Sequence, residues 1–154
     1  MKRFAATAIT GLLLASCAAA SFAQTPASSI APLAESVPSD LPRTARPLHY
    51  RIEVAPDAAN LTFTGTASID VVVFEPTQAL TLHANELEFA SVRLLAANGA
   101  GEGIALQAKT DADAQTVELS APQPIAPGTY RLDFAYSGKI NTQANGLFAL
   151  DYPD

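Results

Sequence analysis

The sequence predicts an all-β fold, an antiparallel-rich sandwich or saddle of about seven to nine strands, on three observations. Apolar and polar residues alternate with period two in run after run between Tyr50 and Tyr136, as half-buried strands require. The 11 prolines and 8 glycines are spread along the chain, many of them between those runs, where turns belong. After the first two dozen residues nothing repeats at the helical spacing, so no substantial helix is expected.

The first run sets Tyr50, Ile52 and Val54 against Arg51 and Glu53. Pro56-Asp57 with Asn60 closes it, because proline removes a ladder donor and Asp and Asn side chains bond nearby backbone. A long second run follows, Leu61, Phe63, Gly65, Ala67, Ile69, Val71 and Val73 against Thr62, Thr64, Thr66, Ser68 and Asp70. Gly65 inside it signals a bulge or a close backbone approach. Glu75-Pro76-Thr77 breaks the run, and Leu80 and Leu82 form a short strand. Leu87, Phe89, Val92 and Leu94 form one or two more, ahead of a glycine-rich loop over Asn98–Gly103. Ile104–Gln107 is strand-like, Asp111-Ala112-Asp113 turns the chain, and Thr116–Leu119 resumes the alternation. Pro127-Gly128 is a tight turn into Tyr130, Leu132, Phe134 and Tyr136. Ser137-Gly138 and Asn145-Gly146 are further turn signals, and Leu147–Tyr152 is an apolar strand.

The N-terminus has a different texture. Lys2 and Arg3 precede an apolar, alanine-rich stretch from Phe4 to Ala20, and Ser21-Phe22-Ala23 places small residues before a cut at Gln24. Residues 1–23 are therefore expected to be an export signal. No charged flank follows the apolar run, which argues against a membrane anchor. Leu14-Ala15-Ser16-Cys17 resembles a lipobox, making Cys17 a possible lipidation site. Ala18, Ala19 and Ala20 prolong the apolar run, which favours ordinary cleavage over lipidation. Residues 24–40, with Pro26, Pro32 and Pro38 and no apolar periodicity, are expected to be a flexible linker, and residues 41–154 the domain. The expected location is periplasmic or secreted, with membrane attachment only if Cys17 is lipidated.

Composition bounds function. With 49% hydrophobic and 16% charged residues the chain is globular. Its net charge of -6 and scattered cations exclude a nucleic-acid surface. His49 and His83 are the only histidines, and neither sits in a ligand pair at helical or turn spacing. Glu86 and Glu88, and Asp111 and Asp113, lie two apart and would share a face in extended chain, but without a surrounding ligand set. Gly99, Gly101 and Gly103 match no phosphate-binding fingerprint, and no helix follows them. Asn60-Leu61-Thr62 matches a glycosylation sequon. No catalytic, cofactor-binding or metal-binding residue is expected in this chain.

The order of features carries a resemblance. Leu41-Pro42 and Arg46-Pro47-Leu48-His49-Tyr50, then Phe63-Thr64-Gly65-Thr66-Ala67 with Ile69 and Val71, resemble the opening strands of the aminopeptidase N family of zinc metallopeptidases. Thr81-Leu82-His83-Ala84-Asn85-Glu86-Leu87 is similar to the segment that comes next in that family. So are Pro127-Gly128-Thr129-Tyr130-Arg131-Leu132, Tyr136-Ser137-Gly138-Lys139-Ile140-Asn141 and Gly146-Leu147-Phe148 with Tyr152.

The resemblance implies a non-catalytic N-terminal β domain, incomplete at its C-terminus. Its partner would be the missing catalytic domain of the same polypeptide, which in the family holds the zinc and the His-Glu-x-x-His helix and takes peptide substrates. No family catalytic or metal residue matches a position here. The competing expectation is a stand-alone β-sandwich binding module, secreted or anchored through Cys17.

Overall fold

The computed structural model describes residues 30–97, 101–144 and 146–150. The strands are β1 (Ala45–Asp57), β2 (Thr62–Val73), β3 (Thr77–His83), β4 (Leu87–Ala96), β5 (Ile104–Ala105), β6 (Gln107–Asp111), β7 (Thr116–Ile125) and β8 (Gly128–Lys139). They form a five-stranded sheet in the order β1-β2-β8-β4-β5 and a three-stranded sheet in the order β3-β7-β6. Every strand pairing is antiparallel, and no helix occurs among the described residues. The all-β sandwich expected from the alternation is the fold observed.

The turns follow from side-chain chemistry. Between β1 and β2 the Asp57 carboxylate accepts from the Asn60 backbone N–H at 3.1 Å and from its side-chain amide at 2.7 Å. Leu61 then takes the left-handed conformation, φ 49°, so the strand begins at Thr62 and not at Leu61 as the alternation suggested. In the long strand β4 a register shift between Phe89 and Ser91 explains why the apolar positions change parity from 87 and 89 to 92 and 94. The extra residue of a bulge reverses which face later side chains take.

Two expectations are corrected. Ser137-Gly138 is not a turn but lies inside β8. Gly138 pairs with Phe63, and a Cβ on it would collide with the Phe63 ring, so glycine is there to admit an aromatic. Gly65 has the reciprocal arrangement: it pairs with Tyr136, and a Cβ on it would lie 2.7 Å from the Tyr136 ring. The register of β2 shows no shift at Gly65, so close approach, not a bulge, is its reason. The two rings meet edge to face at 6.3 Å and 79°. The second correction concerns Leu147–Tyr152. Residues 147–150 are not a strand, and only a parallel bridge of Asn141 with Phe148 is formed; residues 151–154 lie outside the described residues.

The core lies between the sheets. Leu94, Leu132 and Val92 of the larger sheet meet Leu80, Val117 and Leu119 of the smaller, and Leu119 is fully buried. The smaller sheet is attached on the β4 side, where the buried Leu106 donates its backbone N–H to the carbonyl of Val92 at 3.0 Å. Each strand adds only about 4.8 Å of width, so three strands attached at one edge cannot cover the other. The β1 side of the larger sheet stays open.

Candidate functional site: an apolar groove on the open half of the larger sheet

In antiparallel pairs, directly opposed residues share a face. The register therefore lays out rows across four strands: Tyr50, Ile69, Leu132 and Leu94; Ile52, Ala67, Phe134 and Val92; Val54, Gly65, Tyr136 and Phe89. All of it is apolar, yet its burial is uneven. Leu132 and Val92 are 1% and 4% exposed, whereas Tyr50, Ile52 and Val54 are 51%, 58% and 47% exposed. Between these halves runs a groove of about 560 Å³, lined by Tyr50, Ile52, Ala67, Leu82, Phe89 and Tyr136 among others.

Leu33 and Leu41, from the segment before β1, form part of the groove wall. One cation organises that segment. The Arg43 guanidinium donates to the carbonyls of Ala34 at 2.7 Å, Val37 at 2.5 Å and Leu33 at 3.2 Å. Arg46 donates to the carbonyl of Ala31 at 3.2 Å. Charge-assisted bonds of this kind are stronger than neutral ones, and three on one planar fork hold a turn against the sheet. Over residues 30–40 the stretch read as linker thus packs on the domain by way of Arg43.

The opposite face of the larger sheet is polar. Arg131 Nε lies 3.2 Å from Asp70 Oδ1, and Ser68 Oγ donates to Asp133 Oδ1 at 2.7 Å. Both are cross-strand pairs between β2 and β8, which tie the strands beneath the apolar face.

The residues singled out from sequence are not assembled into one site. His49 on β1 and His83 at the end of β3 are both exposed and belong to different sheets. Glu86 is in the left-handed region, φ 53°, so it does not share an extended face with Glu88 as the spacing implied. Asp111 ends β6 and accepts from the Ala114 backbone N–H at 3.0 Å, a turn-closing role; Asp113 is an exposed turn residue.

Gly101 and Gly103 adopt positive φ in the connection from β4 to β5, where the Arg93 guanidinium donates to the Glu102 carbonyl. Asn60 is exposed in the β1–β2 turn. Cys17, Gly99 and residues 1–23 lie outside the described residues. Asp57 has its carboxyl held below the usual range, chiefly by the Asn60 side-chain amide.

Zinc, the metal the resemblance implies for a whole enzyme, does not fit the residues present. Among the described residues no group of three or more His, Cys, Asp or Glu converges, and zinc sites need three or four ligands. What the geometry offers is an apolar surface for packing or docking. Sequence reasoning missed the groove because alternation identifies a face but not the width of the layer opposite it.

The family whose description is peptidase M1 N-terminal domain matches residues 46–154. The chain is 31% identical over 114 residues to puromycin-sensitive aminopeptidase of Caenorhabditis elegans, covering 74% of this chain and 12% of that protein. It is 33% identical over 112 residues to aminopeptidase N of Acetobacter pasteurianus, covering 73% and 30% respectively. Endoplasmic reticulum aminopeptidase 1 of Homo sapiens is 28% identical over 116 residues, again 12% of its length. The chain thus spans between about an eighth and under a third of these relatives.

Proposed function

This chain belongs to the family of M1 peptidase N-terminal domains, and from that premise we propose that it is the non-catalytic front portion of an exported, zinc-dependent aminopeptidase. The whole enzyme would remove N-terminal residues from peptides, with zinc and the catalytic side chains supplied by the part of the polypeptide these residues do not include. This portion would act as scaffold. The observation that carries the reading is the family match over 46–154, a range that includes nearly all of the strands of the half-open sandwich, β1 to β8. A wide apolar face left open on a folded domain is characteristic of a surface meant for another protein layer. The groove beside Tyr50 and Ile52 is where the remainder of such an enzyme would pack, next to its active-site cleft. Export directed by a cleaved signal at residues 1–23 completes the proposal, with anchoring of the exported chain through a lipid on Cys17 as the alternative.

The test combines gene and assay. The DNA downstream of codon 154 is read, and the polypeptide it encodes is produced together with this chain and alone. The expected result is that a His-Glu-x-x-His segment follows, that the longer polypeptide releases N-terminal residues from peptides and loses this activity to a chelator, and that the 154-residue chain has none. A stop followed by an unrelated gene would overturn the reading and turn attention to a stand-alone binding module using the same groove.

A further inference from the structure

β1 is an edge strand: β2 pairs with one side of it, and no strand pairs with the other among the described residues. A register shift between Pro47 and His49 interrupts its pairing with β2 near one end. Near the other stands Pro56, which has no N–H to donate to an added strand, although the pairing with β2 runs on to Asp57. The segment between them, His49 to Ala55, is centred on Ile52. Its charges are arranged about the same centre. Arg51 and Glu53 flank Ile52 on the polar face, and neither makes a hydrogen bond or ion pair among the described residues. Tyr50 and Val54 flank it on the apolar face, about half exposed.

We infer that two copies of this chain associate through β1, antiparallel, about a two-fold axis at Ile52, joining their larger sheets into one. In that register Arg51 lies opposite Glu53 of the partner subunit, and symmetry repeats the pair. Tyr50 lies opposite Val54 of the partner subunit, also twice, and Ile52 meets its own counterpart. The neighbouring symmetric registers are worse. Centring on Arg51 or on Glu53 sets two like charges directly opposite each other, which is destabilising in a sheet. The two-fold also keeps both apolar faces on one side, because opposed residues share a face. Such an interface is isologous and closes at the dimer. The backbone bonds of the edge supply affinity, as in other strand additions, and the Arg–Glu pairs select the register.

This inference concerns the chain by itself and does not depend on the aminopeptidase reading. Its test is sedimentation equilibrium on the purified full chain and on charge-reversed variants. The wild type is expected to show a reversible monomer–dimer equilibrium with no larger species. Arg51→Glu and Glu53→Arg, each placing like charges opposite one another twice, should each weaken dimerisation by at least about tenfold. Mixed in equal amounts, the two variants should associate with each other, since every opposed pair is then complementary. The double exchange Arg51→Glu/Glu53→Arg should dimerise as the wild type does. Both side chains are exposed, so unchanged melting of each variant is the expected control. A monomeric wild type, as when a further segment of polypeptide covers β1, would overturn the inference. So would association that ignores the charge reversals, or variants that fold but do not associate when mixed.

Discussion

β1 and β8 are written in almost the same alternation, yet they end in different environments. Tyr50, Ile52 and Val54 of β1 lie in the same cross-sheet rows as Leu132, Phe134 and Tyr136 of β8. Leu132 is 1% exposed and Ile52 58%. The difference comes from neither strand. It comes from the short three-stranded sheet, which Leu106 fastens on the β4 side and which ends before it reaches β1. One apolar face thus serves as core over half its width and as open surface over the rest.

The contrast is broken or sharpened most strongly by deleting side chains on its two halves. Leu132→Ala should cost about 2–5 kcal/mol, because it leaves a cavity under a complete layer. In dilute solution Ile52→Ala should cost under about 1 kcal/mol, because its side chain is already half in water. Urea denaturation of the two variants measures both, and equal losses would show that β1 is covered as well as β8.

The next effect concerns the boundary between the halves, where glycine and aromatic side chains exchange places. Gly138→Ala should destabilise by about 1–3 kcal/mol, since the new methyl group meets the Phe63 ring. Gly101, with nothing within 4 Å of the same added atom, carries only the strain of its positive φ. Combining Gly138→Ala with Phe63→Leu should be less destructive than the sum of the two, and thermal melts of the four proteins in that cycle decide it.

Smaller still is the pair on the outer face. Asp70 and Arg131 are about a third exposed, so a double-mutant cycle should give a coupling of at most about 1 kcal/mol, reduced by added salt. The least effect belongs to Asp57, in the turn that starts from the open strand. Its folded pKa is lowered, so its contribution is present above the unfolded value and fades as pH falls through the folded one. Asp57→Ala should slightly flatten the acid limb of a stability-versus-pH curve and leave the neutral region nearly level.

Strand positions were legible because the pleat forces side chains to alternate, and a buried face makes the alternation apolar. That is why the runs at Tyr50, Ile69, Leu119 and Leu132 could be read directly. Ser137-Gly138 misled, because a glycine that frees φ and a glycine that makes room for a ring are the same letter. The parity change after Phe89 was visible in the sequence, but only the register identifies it as a bulge. As for a site, the chain shows no cluster of nucleophile, base or ligands at telling spacing, and the groove has no sequence signature. It exists where one layer stops, not where particular residues occur.

By itself, then, the sequence determined that this is a β protein, roughly where its longer strands lie, which face of β1, β2 and β8 is apolar, and, through the ordered resemblance between Leu41 and Tyr152, which family it resembles. Only the tertiary structure decided which strands share a sheet, which glycines accommodate rings, and which half of the apolar face is left open. The physical reason is range. Alternation and turn chemistry act between residues adjacent in the chain, whereas coverage of β1 depends on β3, β6 and β7 and on the side to which Leu106 ties them.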